Sequence, residues 1–120
     1  MFEKMVSIIT INYNGFEDTC EFIDSLSENE TYPYELIVVD NASEINEAKK
    51  LQDIYPDIQV IRSDRNLGFA GGNNLGYRYA SGFYILYMNN DMIVKTPFLK
   101  PLIDRLDDSC VGVVSPKIRY

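Results

Sequence analysis

Val6-Ser7-Ile8-Ile9-Thr10-Ile11 runs straight into Asn12-Tyr13-Asn14-Gly15, and from Phe16 onward the apolar residues change period, with Phe16, Cys20, Ile23 and Leu26 recurring at helical spacing. A short, nearly unbroken β-branched run, a polar turn and a 3.6-period stripe make a strand, a loop and a helix. The strand is apolar at almost every position, so it reads as buried on both faces, the habit of a parallel strand covered by helices. The same unit repeats outward from this one. Pro33 closes the first helical segment, and Leu36-Ile37-Val38-Val39 is a second strand ending at Asp40. Ser43 is placed to cap a helix with Ile45, Ala48, Leu51 and Tyr55 on its inner face, and Pro56-Asp57 breaks that helix. Ile58-Gln59-Val60-Ile61 is a third, half-buried strand.

Asn66-Leu67-Gly68-Phe69-Ala70-Gly71-Gly72-Asn73-Asn74-Leu75-Gly76 follows, and reads as a loop leading into a helical segment at Tyr77-Arg78-Tyr79-Ala80. Tyr84-Ile85-Leu86-Tyr87-Met88 is a fourth strand, ending at Asn89-Asn90-Asp91. Thr96-Pro97 reads as an N-cap with proline at the first helical position, and Phe98, Leu99, Leu102, Ile103 and Leu106 form the apolar stripe behind it. Val111-Gly112-Val113-Val114 is a fifth strand. Strands alternating with helices, without internal repeats, predict a three-layer α/β/α sandwich with a mainly parallel sheet and right-handed crossovers.

Composition narrows the function. A chain of 120 residues, 46% hydrophobic and 24% charged, fits one domain spanning residues 1–120 with a core that needs no staples. Eleven Lys and Arg stand against 18 Asp and Glu, a net charge of -7, which argues against nucleic acid and against a polybasic membrane anchor. A phosphate-bearing ligand would have to be held by helix ends or a metal. Histidine is absent, which removes Ser-His and Cys-His nucleophilic machinery and any histidine-based zinc site. Cys20 and Cys110, far apart, read as reduced thiols of a cytoplasmic protein. Met1 to Lys4 leads directly into the first strand with no secretory signal, and the longest apolar run, starting at Phe83, is far short of a membrane span.

In open α/β sheets, ligands bind outside the carboxyl ends of the strands. Asn12-Tyr13-Asn14-Gly15, Asp40-Asn41-Ala42-Ser43 and Asn89-Asn90-Asp91 all fall there. Each has a plain structural reading beside the functional one. The first is a serviceable turn, the second a helix cap, and the third a loop whose amides bond their own backbone. The glycine-rich segment reads either as backbone approaching a ligand or as packing glycines between helix and sheet. No GxGxxG follows the first strand and no GxxxxGK[ST] occurs, which sets aside dinucleotide dehydrogenases and P-loop NTPases.

Taken in order, Val6-Ser7-Ile8-Ile9 with Asn12-Tyr13-Asn14, Val38-Val39-Asp40-Asn41-Ala42-Ser43, Asn66-Leu67-Gly68-Phe69-Ala70-Gly71-Gly72-Asn73-Asn74, Ala80-Ser81-Gly82-Phe83-Tyr84 with Asn89-Asn90-Asp91, and Gly112-Val113-Val114-Ser115-Pro116-Lys117 resemble the family 2 glycosyltransferases of GT-A fold. The Gly-Phe-Ala-Gly-Gly-Asn-Asn string is similar to the rhamnosyltransferase branch and related cell-surface polysaccharide enzymes. The resemblance implies inverting transfer of a sugar from a nucleotide-diphosphate donor, a UDP- or dTDP-sugar, to the hydroxyl of a glycan or lipid-linked acceptor. It implies that Ile11, Asn12, Tyr13, Asp40 and Asn41 line the nucleoside pocket, with Tyr13 walling the base. Asn66, Gly68, Gly72, Asn73 and Asn74 would lie near the ribose and diphosphate, with Asn90 also on the nucleotide. Asn89 and Asp91 take the family's D-x-D position, where Mg²⁺ or Mn²⁺ would neutralise the leaving diphosphate. Asn89 is a neutral ligand there, which makes Asp91 the main anionic one.

The family's acceptor segment, with the carboxylate that deprotonates the acceptor, has no match in this sequence. Asp104, Asp107 and Asp108 lie on or beside an amphipathic helix and read as solvated. The expectation is therefore a donor-binding part, with the general base elsewhere, located in the cytoplasm or at the cytoplasmic face of the membrane. A free strand edge or apolar patch would favour self-association. Three rivals remain. A receiver-like signalling module would need an acidic cluster after the first strand, where Asn12 and Asn14 stand. A nucleotidyltransferase would carry a glycine-rich basic loop there, and residues 12–15 hold no basic residue. A non-catalytic nucleotide-binding module differs only in lacking the base.

Overall fold

Strand and helix alternate strictly over residues 4–106, the part of the chain described by this computed structural model. The elements are β1 (Val6–Asn12), α1 (Phe16–Asn29), β2 (Tyr34–Asp40), α2 (Glu47–Ile54), β3 (Gln59–Arg62), α3 (Gly68–Tyr77), β4 (Tyr84–Tyr87) and α4 (Leu99–Leu106). The four strands form one sheet in the order β3-β2-β1-β4, every pair parallel. The expected fifth strand, together with Cys110, Asp107 and Asp108, lies outside the described residues.

Alternate residues of the central strands feed two cores. Val6 and Ile8 with Leu36 and Val38 face α1, α2 and α4, where Phe22, Ile23, Leu26, Leu51, Leu99 and Ile103 are buried. Ile9, Ile37 and Val39 face the opposite way, against Leu75 of α3. This is the expected three-layer sandwich, and it explains why β1 and β2 carry no polar face.

The parallel register has a direct consequence for function. Asn12 pairs with Asp40, and Asp40 pairs with Arg62. Neighbours in register share a face, so three polar side chains form a row at the carboxyl edge.

Several expected boundaries move, each for a physical reason. The glycine-rich segment is not a loop before a helix at 77–80; it is itself α3. A Cβ on Gly72 would come within 2.8 Å of Ile11 Cδ1, and one on Gly76 within 2.7 Å of Ile9 Cγ2. The glycines let α3 lie directly on β1 and β2, so burial outweighs their poor helix propensity. Ser43 does not cap α2; Asn46 does, its Oδ1 accepting from Lys49 N at 3.1 Å, and Ile45 is 65% exposed rather than on the inner face. Thr96-Pro97 does not open α4, which starts at Leu99. Glu30, at the end of α1, accepts from Phe98 N and Leu99 N, both at 2.9 Å, and so supplies the cap from 68 and 69 residues away. Asp104 is exposed and pairs with Lys100 at 2.7 Å. Among the described residues, no helix is long and apolar enough to cross a membrane.

Candidate functional site

Beyond their last ladder positions, β1 and β4 open into a cleft of about 220 Å³, lined by Ile11, Tyr13, Phe69, Met88, Asn89, Asn90 and Asp91. The parallel sheet brings these residues together, since β1 and β4 end side by side and α3 starts over Ile11. Tyr13 and Phe69 are exposed aromatics on its wall. Among the described residues that line it, Asp91 is the one carboxylate and none is Lys or Arg.

Asp40 does not join Tyr13 and Asp91 in this cleft. It is fully buried and its carboxylate is spent on neighbours. Its Oδ1 accepts from Asn12 Nδ2 at 2.9 Å and Ser43 Oγ at 2.5 Å, and its Oδ2 accepts from Arg62 Nη1 at 2.9 Å. Asn12 is also fully buried; its Nδ2 donates further to Glu47 Oε1 at 2.9 Å, and its Oδ1 accepts from Thr19 Oγ1 at 2.7 Å. Asn41 ties α3 in place, its Oδ1 accepting from Leu67 N and its Nδ2 donating to Gly68 O, each at 3.0 Å. The asparagine and aspartate side chains after β1 and β2 therefore brace the loops from below, and what those loops offer a ligand is backbone and Tyr13.

Both loops are tightly bent. Asn14 and Ala42 hold positive φ, at 50° and 64°. Asn14 N donates to Ser43 Oγ at 2.8 Å, and Asn14 Oδ1 accepts from Glu44 N at 2.9 Å, so the two turns lock each other. Non-glycine residues in this conformation are sparse and concentrate where a structure holds a site in shape. Asn66 Oδ1 accepts from Gly68 N at 2.9 Å, with Gly68 at φ 74° opening α3. Gly72, Asn73 and Asn74 sit further along α3 and do not line the cleft; Gly72 packs on Ile11 instead.

Sequence reading missed Phe69 as a wall, although the residue lay inside a quoted motif. It also missed Thr19, Glu47 and Arg62. Arg62 ends β3 in register with Asp40, a pairing that only the β2–β3 ladder reveals.

Among the described residues, no three Asp, Glu, His or Cys side chains gather into a metal site made of protein alone. Asp91 and Asn89 offer one carboxylate and one amide oxygen on the same lip. Such a partial set suits Mg²⁺ or Mn²⁺, which are bound through one or two carboxylates together with substrate phosphates and water.

Glycosyl transferase family 2 matches residues 7–120 of the sequence. The chain belongs to that family. Among curated relatives, an uncharacterized glycosyltransferase of Bacillus subtilis, YwdF, is 33% identical over 88 residues, covering 72% of this chain and 32% of the relative. The low-salt glycan biosynthesis hexosyltransferase Agl10 of Haloferax volcanii is 31% identical over 117 residues, covering 94% of this chain and 36% of the relative. The chain thus spans about a third of the length of these family members. The mannosyltransferase PcManGT of Pyrobaculum calidifontis, solved with GDP-Man and Mn²⁺, superposes with a TM-score of 0.78 at 24% identity over 93% of this chain and 35% of its own. Staphylococcus aureus TarS 1–349 in complex with UDP gives 0.74 at 21% identity, covering 94% of this chain and 38% of that one. The fold is that of the GT-A glycosyltransferases, as the resemblance implied.

Proposed function

We propose that residues 1–120 form the donor-binding part of an inverting glycosyltransferase that moves a sugar from a UDP- or dTDP-sugar to a glycan or lipid-linked acceptor hydroxyl in polysaccharide synthesis. A rhamnosyltransferase-like role fits the motif of α3. The reading rests on one observation above all: among the described residues, the cleft joins two exposed aromatics to a carboxylate and to no Lys or Arg. A planar base finds an apolar wall in Tyr13 and Phe69. Among the described residues, the charged group that a diphosphate meets in this cleft is Asp91, and two anions side by side repel. Asp91 therefore makes sense as a donor-site residue when a divalent metal stands between it and the phosphates, with Asn89 as a neutral second ligand. Bound there, Mg²⁺ or Mn²⁺ would neutralise the charge that develops on the leaving nucleoside diphosphate.

Ile11 and Met88 exclude water from the floor, while the braced 12–15 and 40–43 loops fix where backbone groups meet the nucleoside. The carboxylate that takes the acceptor proton is assigned outside these residues, because none of them matches the family's acceptor segment. The free Cys20 thiol fits a cytoplasmic setting.

Calorimetry with UDP and UDP- and dTDP-sugars, with and without Mn²⁺, tests this. Binding should require Mn²⁺ and weaken more than about tenfold in Asp91→Ala, since mutating even a residue that only supports a metal ligand costs about that much. Folded protein that ignores every pyrimidine nucleotide would refute the reading.

A further inference from the structure

Thr19 lies in the first turns of α1, fully buried and outside the cleft, yet it is the hinge pin of a directed chain of hydrogen bonds. The direction follows from proton counting. Asn12 Nδ2 faces the carboxylates of Asp40 and Glu47, which only accept, so the Asn12 amide has one orientation. Its Oδ1 must then face Thr19, and the single hydroxyl proton of Thr19 goes to it at 2.7 Å. Thr19 Oγ1 is left as an acceptor and takes Asn90 Nδ2 at 2.8 Å. Asn90 is flanked by Asn89 and Asp91, the two lip residues. A Cβ on Gly15 would stand 3.1 Å from Asn90 Nδ2, so the glycine keeps the space that this amide occupies.

The β1–β4 ladder gives out just before this point, with Met88 N donating to Ile9 O at 3.0 Å. The next anchor after Asn90 is Val94, whose N donates to Ser25 Oγ at 2.9 Å and whose O accepts from Asn29 Nδ2 at 2.8 Å. A polar row on α1 thus carries the whole segment behind β4, and Thr19 is its contact nearest the cleft.

We propose that Thr19 is a positioning residue for the metal-binding turn, holding Asn89 and Asp91 at the cleft by fixing the amide of Asn90 from the buried Asn12–Asp40 pair. It rests on the donor-site reading above, in that Asp91 is taken as the anionic metal ligand. Removing a buried support of this kind costs metal sites about tenfold or more in affinity.

The test compares Thr19→Val, Thr19→Ala and Thr19→Ser with Ser25→Ala in the 120-residue chain. Ser25→Ala removes a bond to the same segment at Val94 and leaves the turn alone. Three quantities are read: thermal midpoint, the Mn²⁺-dependent gain in UDP affinity, and amide hydrogen exchange at residues 89–91. Thr19→Val, or Thr19→Ala where valine disturbs folding, should lose the Mn²⁺-dependent gain about tenfold and exchange faster at 89–91, and Thr19→Ser should recover both. Ser25→Ala should lower the midpoint and keep the gain. An unchanged gain in folded Thr19→Val and Thr19→Ala, or an equal loss in Ser25→Ala, would overturn the proposal. Wild-type protein that binds no UDP with Mn²⁺ would sink the donor-site reading instead; exchange at 89–91 would still judge Thr19, and unaltered protection in its variants would count against it.

Discussion

Two carboxylates at opposite ends of β2 live by different means. Asp40 is buried against a guanidinium. Glu35 has no such partner among the described residues and is held by donors: Ser7 Oγ, Ser81 N at 2.6 Å and Ser81 Oγ at 3.0 Å. Burial pushes the Glu35 carboxyl up, but the hydrogen bonds from Ser7, Ser81 and the Gly82 backbone outweigh it and hold the group below its ordinary value. A carboxyl depressed in the folded state contributes stability that is fully present above its unfolded value, about pH 4.3, and that is lost as pH falls through the folded value. Urea midpoints measured from pH 7 down to pH 3 should therefore fall less steeply in Glu35→Gln than in wild type. Parallel pH profiles would show that the three donors do not favour the charged form.

At the scale of elements, α3 is the helix whose sequence least resembles one, and its energetics are set by contact distance. Alanine raises helix propensity by nearly 1 kcal/mol over glycine. At Gly76, however, the added methyl would lie 2.7 Å from Ile9 Cγ2 and 3.0 Å from Val39 Cγ2, and neither belongs to a side chain with room to retreat. Gly76→Ala should destabilise by about 1–3 kcal/mol through overpacking, read from chemical denaturation. A stabilised variant would mean that α3 rides higher on the sheet than described. The four described strands, in contrast, were legible as apolar runs, because hydrophobic pattern dictates them. The caps were not. Ser43 is a good capping residue by type, but Asp40 and Asn14 claim its hydroxyl. Glu30 caps α4 from another element, an interaction that no local window contains. For the site, Tyr13, Asn89 and Asp91 were legible from position at strand ends. The inward turn of Asn12 and Asp40 depends on the β1–β2 register, which a sequence read one segment at a time does not give.

For the whole molecule, two long-range tendencies oppose each other. A net charge of -7 keeps copies apart. Against it stand Tyr77, Tyr79, Phe83 and Tyr87, all exposed, near a β4 that pairs only with β1 among the described strands. Salt screens the first and leaves the second intact, with the Debye length shrinking from about 10 Å at 0.1 M to about 3 Å at 1 M. Sedimentation equilibrium should show self-association of the chain that grows with added salt. Association that weakens with salt would point to ionic contacts instead.

The strand order also sets a timetable for birth on the ribosome. β1 is synthesised before the other described strands, yet it sits between β2 and β4, and its register partner for Val6 on one flank is Tyr84. At a bacterial or eukaryotic translation pace, that flank waits on the order of ten seconds for its mate to emerge. Until then the nascent polypeptide carries an open row of amides and carbonyls along β1, whose side chains end up almost entirely buried. Slowed translation between codons 40 and 84 should therefore raise the yield of chaperone-bound or misassembled product far more than the same pause placed earlier.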